Sequence, residues 1–281
     1  MKDVNIGAGR FLFGDCVQRL GEIASESVDL IVTSPPYDSL RSYNDGDAWT
    51  WGVFEKVANQ CARVLKPGGT IVWVVGDETI KGSKTGSSFR QALHFKDALG
   101  LNIHDTMIWN KGGFSAVGAL QTRYAPVYEY MFVFTKGRIA TFKPLKDRPN
   151  KHAGKPITGT IRNTDGSTKP MSTVGNILPD FGQRFNIWDI SPHRQRGGHP
   201  APYPESLAYD HIVSWSNPGE MVLDPFGGSG TTAVAAERAG RKWLLIERDP
   251  TYFADAVSRM SGSSPRLIAL DAGSMLWALA A

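Results

Sequence analysis

Apolar runs alternate with polar, glycine-broken segments along the first half of the chain, and the two periods of that alternation predict strands and helices in turn. Arg10 to Gly14 reads as a short apolar strand, and Cys16 to Ile23 as a helix with Val17, Leu20 and Ile23 at helical spacing. Val28 to Thr33 is a continuous β-branched run, the pattern of a parallel strand buried on both faces. It stops at Ser34-Pro35-Pro36-Tyr37, where two prolines forbid strand or helix. Phe54 to Leu65 predicts a helix closed by Lys66-Pro67-Gly68-Gly69, and Thr70 to Val75 a second buried strand. Phe89 to Leu99 predicts another helix, and Ile103 to Asn110 and Tyr128 to Thr135 two more strands.

From Gly137 to about Ser191 the periodicity dissolves into Lys, Arg, Pro, Gly, Asn and Thr, a stretch too long for a simple loop in a compact domain. Regular structure returns with a helix at Glu205 to Trp215, a strand at Met221 to Leu223 and a glycine-rich turn from Asp224 to Gly230. A helix at Thr231 to Ala239, a strand at Trp243 to Ile246 and a helix at Pro250 to Met260 follow. After Ser261 the chain reads as a peripheral tail with a short apolar segment at Leu267 to Leu270. Strands alternating with helices predict an α/β fold on a mostly parallel sheet.

Composition narrows the class. With 281 residues, one large domain or one domain with an insertion is expected, able to bury a core without disulfides. Cys16 and Cys61 stand far apart in no CxxC pattern, which excludes a disulfide framework and a cysteine-rich zinc site and points to a reducing cytoplasm. The six histidines show no metal spacing, so no metal is expected. No apolar run approaches the roughly 20 residues of a membrane helix, and the first residues lack a signal-peptide core. The net charge of +4 hides an asymmetry: Lys136 to Arg196 holds twelve Lys or Arg against four Asp or Glu, a net +8, while the rest is mildly acidic. That distribution fits a catalytic body carrying a polyanion-facing element, and a solvated basic loop would share it.

The turn Asp224-Pro225-Phe226-Gly227-Gly228-Ser229-Gly230 lies between a predicted strand and helix, the layout of a nucleotide-like site. No Lys-Ser or Lys-Thr follows its last glycine, and the spacing is not G-x-G-x-x-G, so phosphate-loop and dinucleotide readings are disfavoured. Glu247, at the end of the next strand, is set to bind two ribose hydroxyls. A cofactor with a ribose and no phosphates fits the pair, and S-adenosylmethionine is such a molecule. At Ser34-Pro35-Pro36-Tyr37 the prolines remove two N–H donors and leave rigid acceptors, the Ser34 hydroxyl and the carbonyls around Pro35. Such a set beside an aromatic ring suits an exocyclic amino group on a flat base, although Pro-Pro also marks plain turns.

Together these elements resemble the amino-methylating DNA methyltransferases. Thr33-Ser34-Pro35-Pro36-Tyr37 is similar to their catalytic motif and Asp224 to Thr232 (DPFGGSGTT) to their cofactor motif. The catalytic motif comes first, as in the circularly permuted β group. Phe13-Gly14-Asp15 resembles the segment whose acid contacts the cofactor adenine, and His199-Pro200-Ala201-Pro202-Tyr203-Pro204 the element beside its methionine end. Ile246-Glu247-Arg248-Asp249 with Tyr252 resembles the ribose-binding segment. The resemblance implies a Rossmann-like S-adenosylmethionine-dependent methyltransferase fold, a mostly parallel seven-stranded sheet with helices on both faces. It implies a catalytic half at 1–136, a target recognition insertion at 137–191, a cofactor-binding half at 192–262 and a tail at 263–281. Ser34, Pro35, Pro36 and Tyr37 would be catalytic. Asp15, Cys16, Pro200, Asp224, Phe226, Gly228, Ser229, Gly230, Thr231 and Glu247 would hold the cofactor.

The partner implied is duplex DNA, whose phosphates Lys143, Lys146, Arg148, Lys151, Lys155 and Arg162 could neutralise; His193, Arg194, Arg196 and His199 form a second basic stretch. A homodimer and a cognate restriction endonuclease are further partners the family allows, and no membrane is implied. Neither cysteine follows a proline, which disfavours cytosine-C5 chemistry, and both read as buried and inert. Trp49 and Trp51 could line a base pocket, but core packing is the commoner fate of tryptophan. In the family a serine at the first motif position goes mostly with cytosine-N4 and an Asp or Asn with adenine-N6, so Ser34 favours N4-methylcytosine with N6-methyladenine as the alternative. Further from the pattern stand an RNA or protein-glutamine methyltransferase and a non-catalytic DNA-binding relative.

Overall fold

A computed structural model describes residues 1–36, 49–112, 121–192 and 203–262. Tyr37, Pro200, the basic stretch His193 to His199 and the tail from residue 263 lie outside the described residues. The described residues form two compact units, Met1–Lys143 with Ile187–Ala281, and Pro144–Asn186.

The larger unit is built on a sheet of nine strands among the described residues. In chain order these are β1 (Val4–Ile6), β2 (Gly9–Phe13), β3 (Val28–Thr33), β4 (Leu65–Val75) and β5 (Asn102–Asn110). They continue with β6 (Tyr128–Thr135), β7 (Ile187–Asp189), β8 (Met221–Asp224) and β9 (Lys242–Glu247). Across the sheet they run β1-β2-β9-β8-β3-β4-β6-β5-β7. Strands β2, β9, β8, β3 and β4 are mutually parallel; β6 is antiparallel to both its neighbours, so β5 again points with the majority. The seven strands from β2 to β5 make the sheet expected from the sequence. The three-residue strands β1 and β7 extend it at its two edges.

The central strands are hydrophobic throughout because both their faces are covered. On one face Ile31, Ile71, Trp73, Phe132 and Phe134 pack with Leu20 of α1 (Cys16–Gly21) and with Phe54, Val57 and Cys61 of α2 (Trp51–Val64). The intervening residues Leu30, Val32, Val72, Val74, Met131 and Val133 are buried as well. On that side α4 (Glu205–Trp215) packs on β3 and on α5 (Thr231–Arg238), and α6 (Pro250–Ser261) on β1, β2 and β9. The next helix, α3 (Ser87–Leu93), starts at a glycine with no capping side chain, and Asp77 beyond the end of β4 supplies the acceptor, taking the Ser88 N–H at 2.8 Å. The helix expected over Phe89 to Leu99 exists, but its second half, His94–Ala98, winds as a π-turn.

Two expectations need correction. Lys66-Pro67-Gly68-Gly69 does not close α2 from outside; it runs within β4, where the pairing with β3 slips by an irregularity. Gly68, at φ +81°, donates to Lys136 O at 2.7 Å, so the proline and glycines form a bulge in a strand rather than a turn before one. Within the stretch read as patternless, Ile187–Asp189 forms β7, whose three residues are too few to show a period.

Unit Pro144–Asn186 has no buried residue. Its order comes from two short antiparallel pairings, Arg148–Pro149 with Phe181–Gly182 and Thr160–Arg162 with Thr168–Pro170. The Asp147–Arg184 ion pair and Arg148 stacked over Phe185 at 4.5 Å add to it.

Candidate active site

The adjacent parallel strands β2, β9, β8 and β3 bring four separate stretches of sequence to one edge, their carboxyl ends, where open α/β sheets bind ligands. Asp15 follows β2, Glu247 ends β9, Asp224 ends β8, and Ser34 with Pro35 and Pro36 follows β3. Ser34 and Pro36 are partly exposed and Pro35 is buried.

Asp224 is only 1% exposed. Its Oδ1 accepts from Thr33 Oγ1 at 2.6 Å and from Phe226 N at 3.0 Å. Its Oδ2 accepts from Tyr203 OH at 3.1 Å and from Thr232 Oγ1, and those two hydroxyls also touch each other. Burial pushes the Asp224 carboxyl above its ordinary value, and the bonds from Thr232, Thr33, Phe226 and Tyr203 pull the other way. Burial also drives the Tyr203 phenol well up, with the Asp224 charge adding to it.

The turn after Asp224 folds back against β9. Gly227 N donates to Ile246 O at 2.8 Å, and a β-carbon on Gly227 would stand 2.3 Å from Leu245 Cγ, so no other residue fits. Gly230, at φ +82°, turns the chain into α5. Glu247 braces the turn: its Oε2 takes the Gly228 N–H at 2.7 Å and its Oε1 the Asp249 N–H at 2.7 Å. Burial raises the Glu247 carboxyl as well, against the lowering effect of the Asp249, Gly228 and Arg248 N–H groups.

The cradle fits a ribose-bearing cofactor by its donor set. Three backbone N–H groups, those of Gly228, Asp249 and Arg248, face the Glu247 carboxylate, whose roughly four lone-pair sites leave acceptor capacity for a hydroxyl. Ser229 Oγ, in the turn, is buried and has no hydrogen-bond partner among the described residues. Phe226 is partly exposed, its ring edge-on to Trp49 at 5.3 Å.

The other expected site residues fall as follows. Asp15 is the N-cap of α1, its Oδ1 accepting from Val17 N at 2.9 Å and Gln18 N at 3.1 Å. Cys16 starts α1 inside the core cluster; burial, with the Asp15 charge, pushes its thiol up to about 12. Burial raises Cys61 too, so neither thiol is poised as a nucleophile. Thr231 is buried at the start of α5. Trp49 and Trp51 pack against the core, Trp51 under the Arg90 guanidinium at 3.8 Å. Tyr37 and Pro200 lie outside the described residues. Sequence reasoning missed Thr33, Tyr203 and Thr232 as a group. Each sits inside a recognised motif, but their meeting point is visible only in three dimensions.

Among the described residues no cluster of His, Cys, Asp or Glu could hold a metal ion, and no helix is long and apolar enough to cross a membrane.

Comparison with known proteins adds four findings. A family model described as DNA methylase, covering N6- and N4-methyltransferases, matches residues 28–258. The chain is 49% identical over 243 residues to the orphan methyltransferase M.BamHII of Bacillus amyloliquefaciens, covering 83% of this chain and 89% of that protein. Among solved structures, the cytosine-N4-specific PvuII DNA methyltransferase superposes with a TM-score of 0.67 at 21% identity, over 94% of this chain and 91% of that one. A candidate DNA modification methylase of Thermus thermophilus, solved complexed with S-adenosyl-L-methionine, superposes with a TM-score of 0.59 at 26% identity, over 90% and 93%.

Proposed function

The chain belongs to the N6/N4 DNA methylase family, and from that premise we propose that it transfers a methyl group from S-adenosylmethionine to the exocyclic N4 of cytosine in duplex DNA. The observation that carries the reading is the 2.6 Å bond from Thr33 to Asp224, which ties the strand end bearing Ser34-Pro35-Pro36 to the head of the glycine turn. An acceptor set for an amino group and a cradle for a ribose thereby share one sheet edge.

When bound, the cofactor supplies an electrophilic sulfonium methyl group. Glu247 would hold the ribose hydroxyls, Ser229 would add a hydroxyl, and the Gly227 to Gly230 turn would let the ligand approach the backbone. Ser34 Oγ and the carbonyl flanking Pro35 would accept from the amino hydrogens of a base rotated out of its stack, drawing them from the ring plane and exposing the nitrogen lone pair. Ser34 is a poor base, so its role is orientation: the N–C bond forms as the S–C bond breaks, the thioether leaves, and the extra amino proton passes to solvent afterwards, with proximity carrying most of the acceleration. The cytosine reading rests on serine at the first motif position; adenine-N6 is the alternative.

Unit Pro144–Asn186, as the target recognition element, would meet DNA with the exposed Lys151, Lys155, Arg162 and Lys169. The same reading makes the enzyme cytoplasmic, with a homodimer and a cognate endonuclease as partners to be tested.

The test is to incubate the protein with unmethylated duplex DNA and S-adenosylmethionine, digest to nucleosides and analyse by mass spectrometry. N4-methylcytosine supports the reading, N6-methyladenine corrects the base, and no methylated base overturns it. Ser34→Ala should lower turnover strongly at nearly unchanged cofactor affinity; full activity in that variant contradicts the assignment.

A further inference from the structure

We propose that Asp224 is a positioning residue rather than a cofactor ligand, and that through Thr33 it sets the placement of Ser34 relative to the glycine turn. A carboxylate offers about four lone-pair sites. Thr33, Phe226 N, Tyr203 and Thr232 point a donor at each, and the group is 1% exposed, so no face of it is left for a ligand. The four donors come from three stretches of chain: the end of β3, the turn entering α5, and the segment before α4. Thr33 is one peptide bond from Ser34. Its hydroxyl reaches across to β8, beyond the backbone pairing of β3 with β8, which ends at Ile31 opposite Leu223. The Thr33 side chain therefore continues the tie to the lip of the sheet, where the pairing has run out. In-line methyl transfer demands that the base and the methyl donor meet within a few tenths of an ångström, and a displacement of about 1 Å can cost on the order of 10²-fold.

The inference rests on the methylase reading, and its test separates the two. In Thr33→Val the shape is kept and the donor lost; Thr33→Ser restores the donor. The expected result for T33V is a kcat reduced about 10- to 100-fold, with the S-adenosylmethionine dissociation constant by calorimetry within about threefold of wild type and recovery in T33S. Melting temperatures of T33V, T232V and the double variant should be non-additive, since both hydroxyls serve one carboxylate. Unchanged kcat in T33V, cofactor affinity falling in step with kcat, a loss explained by the unfolded fraction, or strictly additive melting shifts would each overturn the proposal. If the wild-type protein methylates no DNA, the methylase reading fails, and the melting cycle with the calorimetry still decides whether Asp224 ties the two elements without binding the cofactor.

Discussion

At the scale of single residues, the site is held by groups whose removal has a defined cost. Gly227 has no room for a β-carbon against Leu245 and Ile246. Gly227→Ala should destabilise the fold by about 1–3 kcal/mol and weaken S-adenosylmethionine binding, as thermal melting and calorimetry would show. Glu247→Gln keeps the shape but turns one acceptor into a donor facing an N–H, either that of Gly228 or that of Asp249. Cofactor affinity should fall about tenfold or more, the value of one lost hydrogen bond, while α/β secondary structure by circular dichroism stays intact. The strand ends that carry Ser34, Glu247 and the glycine turn were legible in the sequence because each lies in a few contiguous residues beside an apolar run. The Thr33–Asp224 bond was not, because its partners are 191 residues apart and ordinary in type.

Among the elements, the buried strands and most helices could be read because a residue enclosed on both faces leaves a continuous apolar run. Tyr128–Thr135 and Glu205–Trp215 form over the residues the pattern marks. Failures came where backbone geometry departs from a period: the bulge at Gly68 within β4, the π-turn after Leu93, and the three-residue edge strands. Trp73 shows how β4 and α3 depend on each other. Its ring is fully buried and its Nε1 donates to Gln91 Oε1 on α3 at 2.8 Å. Trp73→Phe shrinks the ring and leaves the Gln91 carbonyl buried without that donor, so a loss of about 2–4 kcal/mol is expected. A denaturant midpoint close to wild type would show that α3 finds another anchor.

For the whole molecule, the two compact units should respond to acid in opposite senses. In Pro144–Asn186 the bond from Arg184 holds the Asp147 carboxyl below its ordinary value, and bonds from Ser167 do the same for Asp165. Their stabilisation is complete above the unfolded value, about pH 4, and is lost as pH falls through the folded ones. Asp224 and Glu247 are raised by burial, so their contribution is complete below their unfolded values and is lost as pH rises through the folded ones. Hydrogen exchange, corrected for intrinsic rates, should show 144–186 opening in acid before the β8–α5 turn does. Neutralising Lys151, Lys155, Arg162 and Lys169 should weaken DNA binding and flatten its salt dependence by about 0.9 for each phosphate no longer neutralised; an unchanged slope would put the DNA on another surface. The larger unit also fixes both flanks of the segment it carries. Lys143 N donates to Ser214 O at 2.8 Å, and Trp188 stacks on His211 at 4.4 Å, so both anchors are on α4, three residues apart. That is a rise of about 4.5 Å along the helix. The residues on either side of the forty-three-residue stretch Pro144–Asn186 are thus held by one turn of α4. If, as proposed above, that stretch reads the target, its sequence could be exchanged by recombination while both flanks keep their seats, and a lineage of such enzymes would acquire new targets while inheriting its chemistry unchanged.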